Sequence, residues 1–328
     1  MGPPALERPP VIRRLLLLLV LAAAALRAAA TPTVILVCGP AGDAEFAPDF
    51  TAQVKAWTDA CARAGAKLRL IGEGAAPADG AEADREQLRR LLAEEAAAGD
   101  AELWLVLVGH GTFDGREARF NLRGPDFTSA ELAEWLQPVR RPLAFVHTGS
   151  ASAPFLPRLA GPGRIIVTAT RSGQEQNYTR FGRHFAEAVA QPASDLDRDG
   201  QVSLLEAYLA AAHRTREFYK AAGRLATEHP LLDDNGDGLG TPPDWFRGVL
   251  ATRRARDGAA LDGLRAHQFH LVPSAEERRL SPEARARRDT LEGRLAEIRA
   301  RKAQLAEDAY LRELEGVLRE LAEVYAAP

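Results

Sequence analysis

Cysteine is scarce: Cys38 and Cys61 are the only two in 328 residues. Two thiols exclude a disulfide scaffold and a four-thiolate zinc or iron–sulfur centre. Lysine is rarer than the charge suggests, since only Lys55, Lys67, Lys220 and Lys302 stand among 42 basic residues. With the alanine-rich runs, that arginine bias points to a GC-rich bacterial gene and says nothing of mechanism. There is no excess of positive charge either, and a net charge of -3 excludes the basic footprint of a nucleic-acid binder. No apolar run reaches the ~20 residues that span a bilayer. What is present, 46% hydrophobic and 27% charged residues, fits a folded soluble chain of one large domain or two ordinary ones.

The one long apolar run, Leu15 to Leu26, follows Arg8, Arg13 and Arg14 and leads into Ala28-Ala29-Ala30. Basic, apolar, then small is the order of a secretory signal. Residues 1–30 are therefore expected to leave on export, and a retained anchor is the alternative. Removal takes four arginines and Glu7 away and moves the net charge from -3 to -6. The mature protein is expected in the periplasm or outside the cell, without a membrane span.

Apolar runs without strict alternation predict strands buried on both faces. They are Thr33–Cys38, Glu102–Val108, Pro142–His147 and Gly163–Thr170, with Lys67–Ile71 as a further strand candidate. Helical stretches fall between them: Phe50–Ala64, Asp84–Ala98, Ser129–Leu136 and Arg180–Ala190. Alternation of this kind predicts βαβ units, a mostly parallel sheet and a three-layer α/β sandwich over residues 31–250. A connecting segment, 251–275, contains an ambiguous stretch, Gly258–Val272, with the pattern of an added strand. Residues 276–328 change character. Leu291, Leu295, Ile298 and Leu305, then Leu311, Leu314, Leu318 and Leu321, follow a 3/4 spacing. Such seams predict a helical hairpin or coiled coil, broken near Glu307-Asp308 with Asp308 as the cap. The hairpin either folds onto the core or forms a homo-oligomer seam.

In an open parallel sheet, ligands bind beyond the carboxyl ends of the strands. The third strand runs into Gly109-His110-Gly111, and the fourth into His147-Thr148-Gly149-Ser150-Ala151-Ser152. A His after one strand and small residues after its neighbour resembles the caspase–legumain–gingipain superfamily, with legumain-like (C13-type) peptidases nearest. The resemblance covers about residues 33 to 250. It implies a caspase-like fold, a catalytic role for His110 and a nucleophilic Cys at position 149. Glycine stands there instead, and neither Cys38 nor Cys61 ends that strand. The chain is thus expected to be inactive as a cysteine peptidase. Ser150 and Ser152 are candidate replacement nucleophiles, since a hydroxyl needs a well-aligned base within reach. His147 reads equally as a base or a hydrogen-bonded pocket residue.

Two Asp-rich loops carry a second chemistry. Asp195 to Glu206 matches D-x-D-x-D-G-x5-E throughout. Calcium takes six to eight oxygens. Asp195, Asp197 and Asp199 supply carboxylates, Gln201 its carbonyl, Ser203 a direct or water-bridged oxygen, and Glu206 two oxygens. Gly200 makes the turn. The second loop repeats the pattern with Asp233, Asn235, Asp237, Leu239 by its carbonyl, and Asp244 at the twelfth place. An ordinary acidic or glycine-rich turn is the alternative at each. Bound Ca2+ here is expected to be structural.

Three functions follow. The first is an exported, calcium-stabilised pseudopeptidase that binds a peptide or protein in its cleft. The second is an active hydrolase pairing His110 with Ser150 or Ser152. The third is a structural envelope protein associating through its C-terminal helices.

Overall fold

The computed structural model describes residues 31–74, 82–97, 99 and 101–326. The expected leader, 1–30, lies outside the described residues. The chain begins with β1 (Thr33–Cys38), α1 (Ala47–Ala64), β2 (Lys67–Ile71), α2 (Asp84–Ala96) and β3 (Leu103–Val108). An excursion of three short strands follows: β4 (Gly111–Phe113), β5 (Ala118–Phe120) and β6 (Phe127–Thr128). Then come α3 (Ser129–Leu136), β7 (Leu143–His147), α4 (Phe155–Leu159), β8 (Arg164–Thr168) and α5 (Phe181–Ala188). The sandwich closes with α6 (Leu204–Ala221) and β9 (Leu231–Asp233).

The central sheet has the order β2-β1-β3-β7-β8-β9. Its first five strands are parallel, and β9 runs antiparallel to β8. Alternate residues of each strand serve opposite layers. Val34, Leu36, Trp104 and Val106 pack under α1, α5 and α6. Ile35, Val37, Leu105 and Phe145 pack under α2, α3 and α4. All eight are fully buried, which is why the strands read as unbroken apolar runs. This is the three-layer α/β sandwich with a mostly parallel sheet that the alternation predicts. The five strand candidates became the five parallel strands within one or two residues. Helix α3 starts where expected because Thr128 and Glu131 form a capping box.

Beyond the sandwich, β10 (Phe246–Arg247) and β11 (Leu250–Ala251) make a small ribbon. The ambiguous stretch 258–272 holds no strand; it contains a short helix, α7 (Leu264–His267). After α8 (Ala275–Arg279), helices α9 (Pro282–Ala300) and α10 (Glu307–Ala326) form the hairpin. Asp308 lies inside the first turn of α10 and does not precede it. In the first helix the seam is the predicted one, with Leu291 and Ile298 buried and Leu295 beside them; in the second, Val317 and Val324 are buried with Leu321 beside them, whereas Leu311 and Leu318 are exposed. Arg288 is buried and ion-pairs with Glu277 and with Asp289 (2.7 Å), fixing α9 to the connecting segment. Among the described residues no helix is long and apolar enough to cross a membrane.

Candidate functional site

The carboxyl ends of β1, β3 and β7 converge, and the ladder continues past them. Gly39 N–H donates to the Val108 carbonyl (2.8 Å) and Thr148 N–H to that of Leu107 (3.0 Å). This tight closure leaves no room at position 149. A β-carbon on Gly149 would stand 2.3 Å from the Gly109 carbonyl oxygen and 3.1 Å from the His147 ring. The obstacle is backbone, so a side chain there requires the strand ends to part.

His110 sits just beyond β3, half-buried. Its Nε2 donates to the Ala41 carbonyl (2.9 Å), since a carbonyl only accepts. The ring is walled by Phe46, Phe50 and Tyr178, with centroids at 5.5, 5.3 and 6.0 Å. The Tyr178 hydroxyl donates to Asp49 (2.9 Å), which together with burial raises its pKa.

Both candidate serines are buried and already engaged. Ser150 Oγ donates to the Gly111 carbonyl (2.9 Å) and accepts from the Gly111 N–H (3.2 Å). Ser152 Oγ accepts from the N–H groups of Ala169 (3.0 Å) and Thr170 (3.1 Å) and pairs with Thr170 Oγ1 (3.0 Å). Among the described residues neither serine hydrogen-bonds His110. Between them Ala151 holds φ 49°, a left-handed conformation costing about 1 kcal/mol, while its N–H donates to Glu175 (2.8 Å).

His147 is a core residue. Its ring is enclosed by Phe120, Phe145 and Phe155. Nδ1 accepts from Gly149 N–H (3.1 Å), and Nε2 has no partner among the described residues. Burial pushes its pKa down to about 3, so it is neutral at physiological pH. Cys38 and Cys61 are free thiols, each pushed up to about 11 by burial. Cys61 is fully buried and Cys38 partly so, with its Sγ 3.6 Å from the Gly39 carbonyl. A pair not anticipated from sequence lies at the same end of the sheet. His229 Nδ1 donates to Glu175 (2.5 Å), and Glu175 also accepts from Arg171 N–H (2.9 Å).

The two Asp-rich loops share one hydrogen-bond scheme. Asp195 accepts from the fourth and sixth N–H groups, Arg198 (2.7 Å) and Gly200 (3.0 Å). Asp233 accepts likewise from Gly236 and Gly238 (both 2.8 Å). The third residue accepts from the fifth, and the fifth from the seventh: Asp197, Asp199 and Gln201 in one loop, Asn235, Asp237 and Leu239 in the other. In the first loop, Asp195, Asp197 and Asp199 bring carboxylate oxygens within 4.8 Å of one another. Burial, and then those neighbours, raise the Asp199 pKa. Glu206 stands outside that trio. One oxygen takes the N–H groups of Leu196 (2.7 Å) and Asp197 (3.2 Å), and the other takes Ser203, whose side chain caps α6.

The twelfth residue of the second loop, Asp244, does not take the equivalent part. It is exposed in a 3-10 turn, Pro243–Trp245. Asp262 takes it instead. One of its oxygens accepts from Asp234 (3.0 Å) and Asn235 (3.1 Å), the second and third residues, and the other from Thr241, the ninth. The second loop is closed by a residue from a separate segment, which local spacing does not reveal.

No family model matches the sequence, and no curated protein matches it. Among solved structures the chain is similar to caspase-1 from Spodoptera frugiperda, with 10% identity, a TM-score of 0.40, and coverage of 62% of this chain and 86% of that one. It is similar too to the Drosophila initiator caspase Dronc, with 14% identity, a TM-score of 0.41, and coverage of 64% of this chain and 81% of that one.

Proposed function

We propose that the protein is an exported pseudopeptidase of the caspase/legumain type, with a binding or scaffolding role and calcium at its Asp-rich loops. The observation that carries the non-catalytic reading is the Gly109 carbonyl, 2.3 Å from any β-carbon at position 149. Nucleophilic catalysis needs an attacking group within hydrogen-bond reach of its base. Here the serine hydroxyls bond to Gly111 and to the Ala169–Thr170 segment, and the His110 Nε2 proton goes to Ala41. What remains at this end of the sheet is a surface of aromatic rings around a half-buried imidazole, suited to holding an extended peptide.

The calcium reading is supported by the donor set and by one orphan. Asp237 Oδ2 is buried with no hydrogen-bond partner. Asp195, Asp197, Asp199 and Glu206 would hold one ion, and Asp233, Asn235 and Asp237 a second. Bound there, calcium would neutralise the carboxylates and rigidify both loops.

The test is covalent labelling of the full chain with serine-directed and cysteine-directed activity probes. No labelling is expected at Ser150, Ser152, Cys38 or Cys61. Gly149→Cys is expected to gain no turnover and to lose about 2 kcal/mol or more of stability through the backbone clash. Labelling of the native chain that Ser150→Ala or Ser152→Ala abolishes overturns the reading.

A further inference from the structure

Helix α10 has two apolar faces, and α9 covers only one. Val317 and Val324 are buried against α9, with Tyr310 and Leu321 beside them. A second stripe, turned away from that seam by the helical period, comprises Leu311, Leu314, Leu318 and Ala322, and ends at Tyr325, whose side chain also reaches Arg288 of α9. Leu311 is 50%, Leu318 46% and Tyr325 56% exposed, among the most exposed large apolar side chains described. The spacing of the stripe is 3, 4, 4, 3. It is therefore symmetric about Leu318 and extends for about 21 Å along the helix.

Charge follows the same symmetry. Glu315 and Arg319 border the stripe on the side away from α9 and pair with each other at 2.6 Å. Both are largely exposed, at 60% and 77% of their side-chain surface, so that bond is free to exchange.

We propose that this stripe is a self-association surface, occupied by α10 of a second copy lying antiparallel across a two-fold axis at Leu318. Such an interface is self-complementary. Leu311 meets Tyr325 of the second copy, Leu314 meets the small Ala322, and Leu318 meets itself. Glu315 lies about 3 Å along the axis from Arg319 of the second copy, and the reverse pair forms by symmetry. A parallel arrangement would put the charged flanks of the two copies on opposite sides of the stripe, leaving Glu315 and Arg319 without partners across the interface. One face of one helix buries less than the ~1,600 Å2 of a standard interface, so micromolar association is expected.

The experiment is sedimentation of the full chain at concentrations from below to well above micromolar. A reversible monomer–dimer equilibrium is expected. Leu318→Glu places four carboxylates near the axis, together with Glu315 of each copy, and should weaken the dimer by ~100-fold or more. Leu318 is exposed, so this variant is expected to melt as the native chain does. Glu315→Arg alone should weaken the dimer, and Glu315→Arg with Arg319→Glu should restore it. In a chain carrying Cys38→Ala and Cys61→Ala, Leu318→Cys should cross-link to its own copy on mild oxidation. Leu311→Cys should cross-link only when mixed with Tyr325→Cys. A monomer at every concentration overturns the proposal, and so does a dimer indifferent to Leu318→Glu. Self-cross-linking of Leu311→Cys as readily as Leu318→Cys overturns the antiparallel geometry.

Discussion

His147 ends a strand whose chemistry looked open in sequence, and its surroundings close the question. A histidine beside small residues reads equally as a base or a core group, because sequence does not show which layer it faces. Phe120, Phe145 and Phe155 supply that information, and they come from three different elements. The same limit applied to Ser150 and Ser152, whose partners, Gly111, Ala169 and Thr170, are brought in by β4 and β8. The burial has a measurable consequence. The imidazole titrates near 3 when folded, against about 6.5 in an unfolded chain. Between those values the unfolded chain binds a proton that the folded one refuses. The contribution of His147 to stability is complete above about pH 6.5 and is lost as pH falls toward 3, by an amount on the order of 3–5 kcal/mol. His147→Asn keeps an acceptor for Gly149 N–H without titrating. Its melting temperature should fall less steeply than that of the native chain between pH 7 and 4; parallel curves would count against the neutral buried imidazole.

Elements made of contiguous residues were the legible ones. Four of the five parallel strands announced themselves as apolar runs because both faces are covered, whereas β2, at the sheet edge, alternates charged and apolar residues. The strands that escaped notice, β4, β5, β6, β9, β10 and β11, have two or three residues each and no run to show. The Asp-rich loops divide in the same way. In the first, every residue of the scheme lies within twelve positions, whereas the second borrows Asp262, 28 residues beyond Asp234. The hairpin and the inner face of its first helix were foreseen, but that of the second was misjudged, since Val317, Val324 and Tyr310 hold the seam there with only Leu321 of the predicted leucines. Calcium separates the loop assignments experimentally. Saturating calcium should raise the melting temperature by roughly 5 °C or more over chelator. Asp237→Asn should shrink that increment, and Asp244→Asn should leave it whole. A melting temperature indifferent to calcium would remove both loops from consideration.

On the scale of the molecule, both loops hold one connecting segment. Asp234 accepts from Gly263 and Ala266 (both 2.8 Å), His267 donates to Asp197 (2.9 Å), and Ser274 N–H donates to Gln201 (3.0 Å). The same segment anchors the hairpin, through Gln268 to Glu292 (2.8 Å) and through Glu277 to Arg288. A change in either loop therefore reaches α9 through hydrogen bonds rather than through the sheet. Hydrogen exchange with and without chelator tests this. Faster exchange is expected in residues 264–274 and in α9, with β3 and β7 unchanged. Equal exchange throughout would uncouple the loops from the hairpin.

The crowding at Gly149 also has a genetic side. Two of the four glycine codons lie a single base from a cysteine codon, so from either of them the substitution is one mutational step away. Yet that step delivers a β-carbon into the Gly109 carbonyl, 2.3 Å distant. A lineage acquiring a thiol at this strand end must also shift the β3–β7 backbone, and neither change is useful without the other. The barrier is two concerted events wide, which makes the glycine a one-way position on the mutational map.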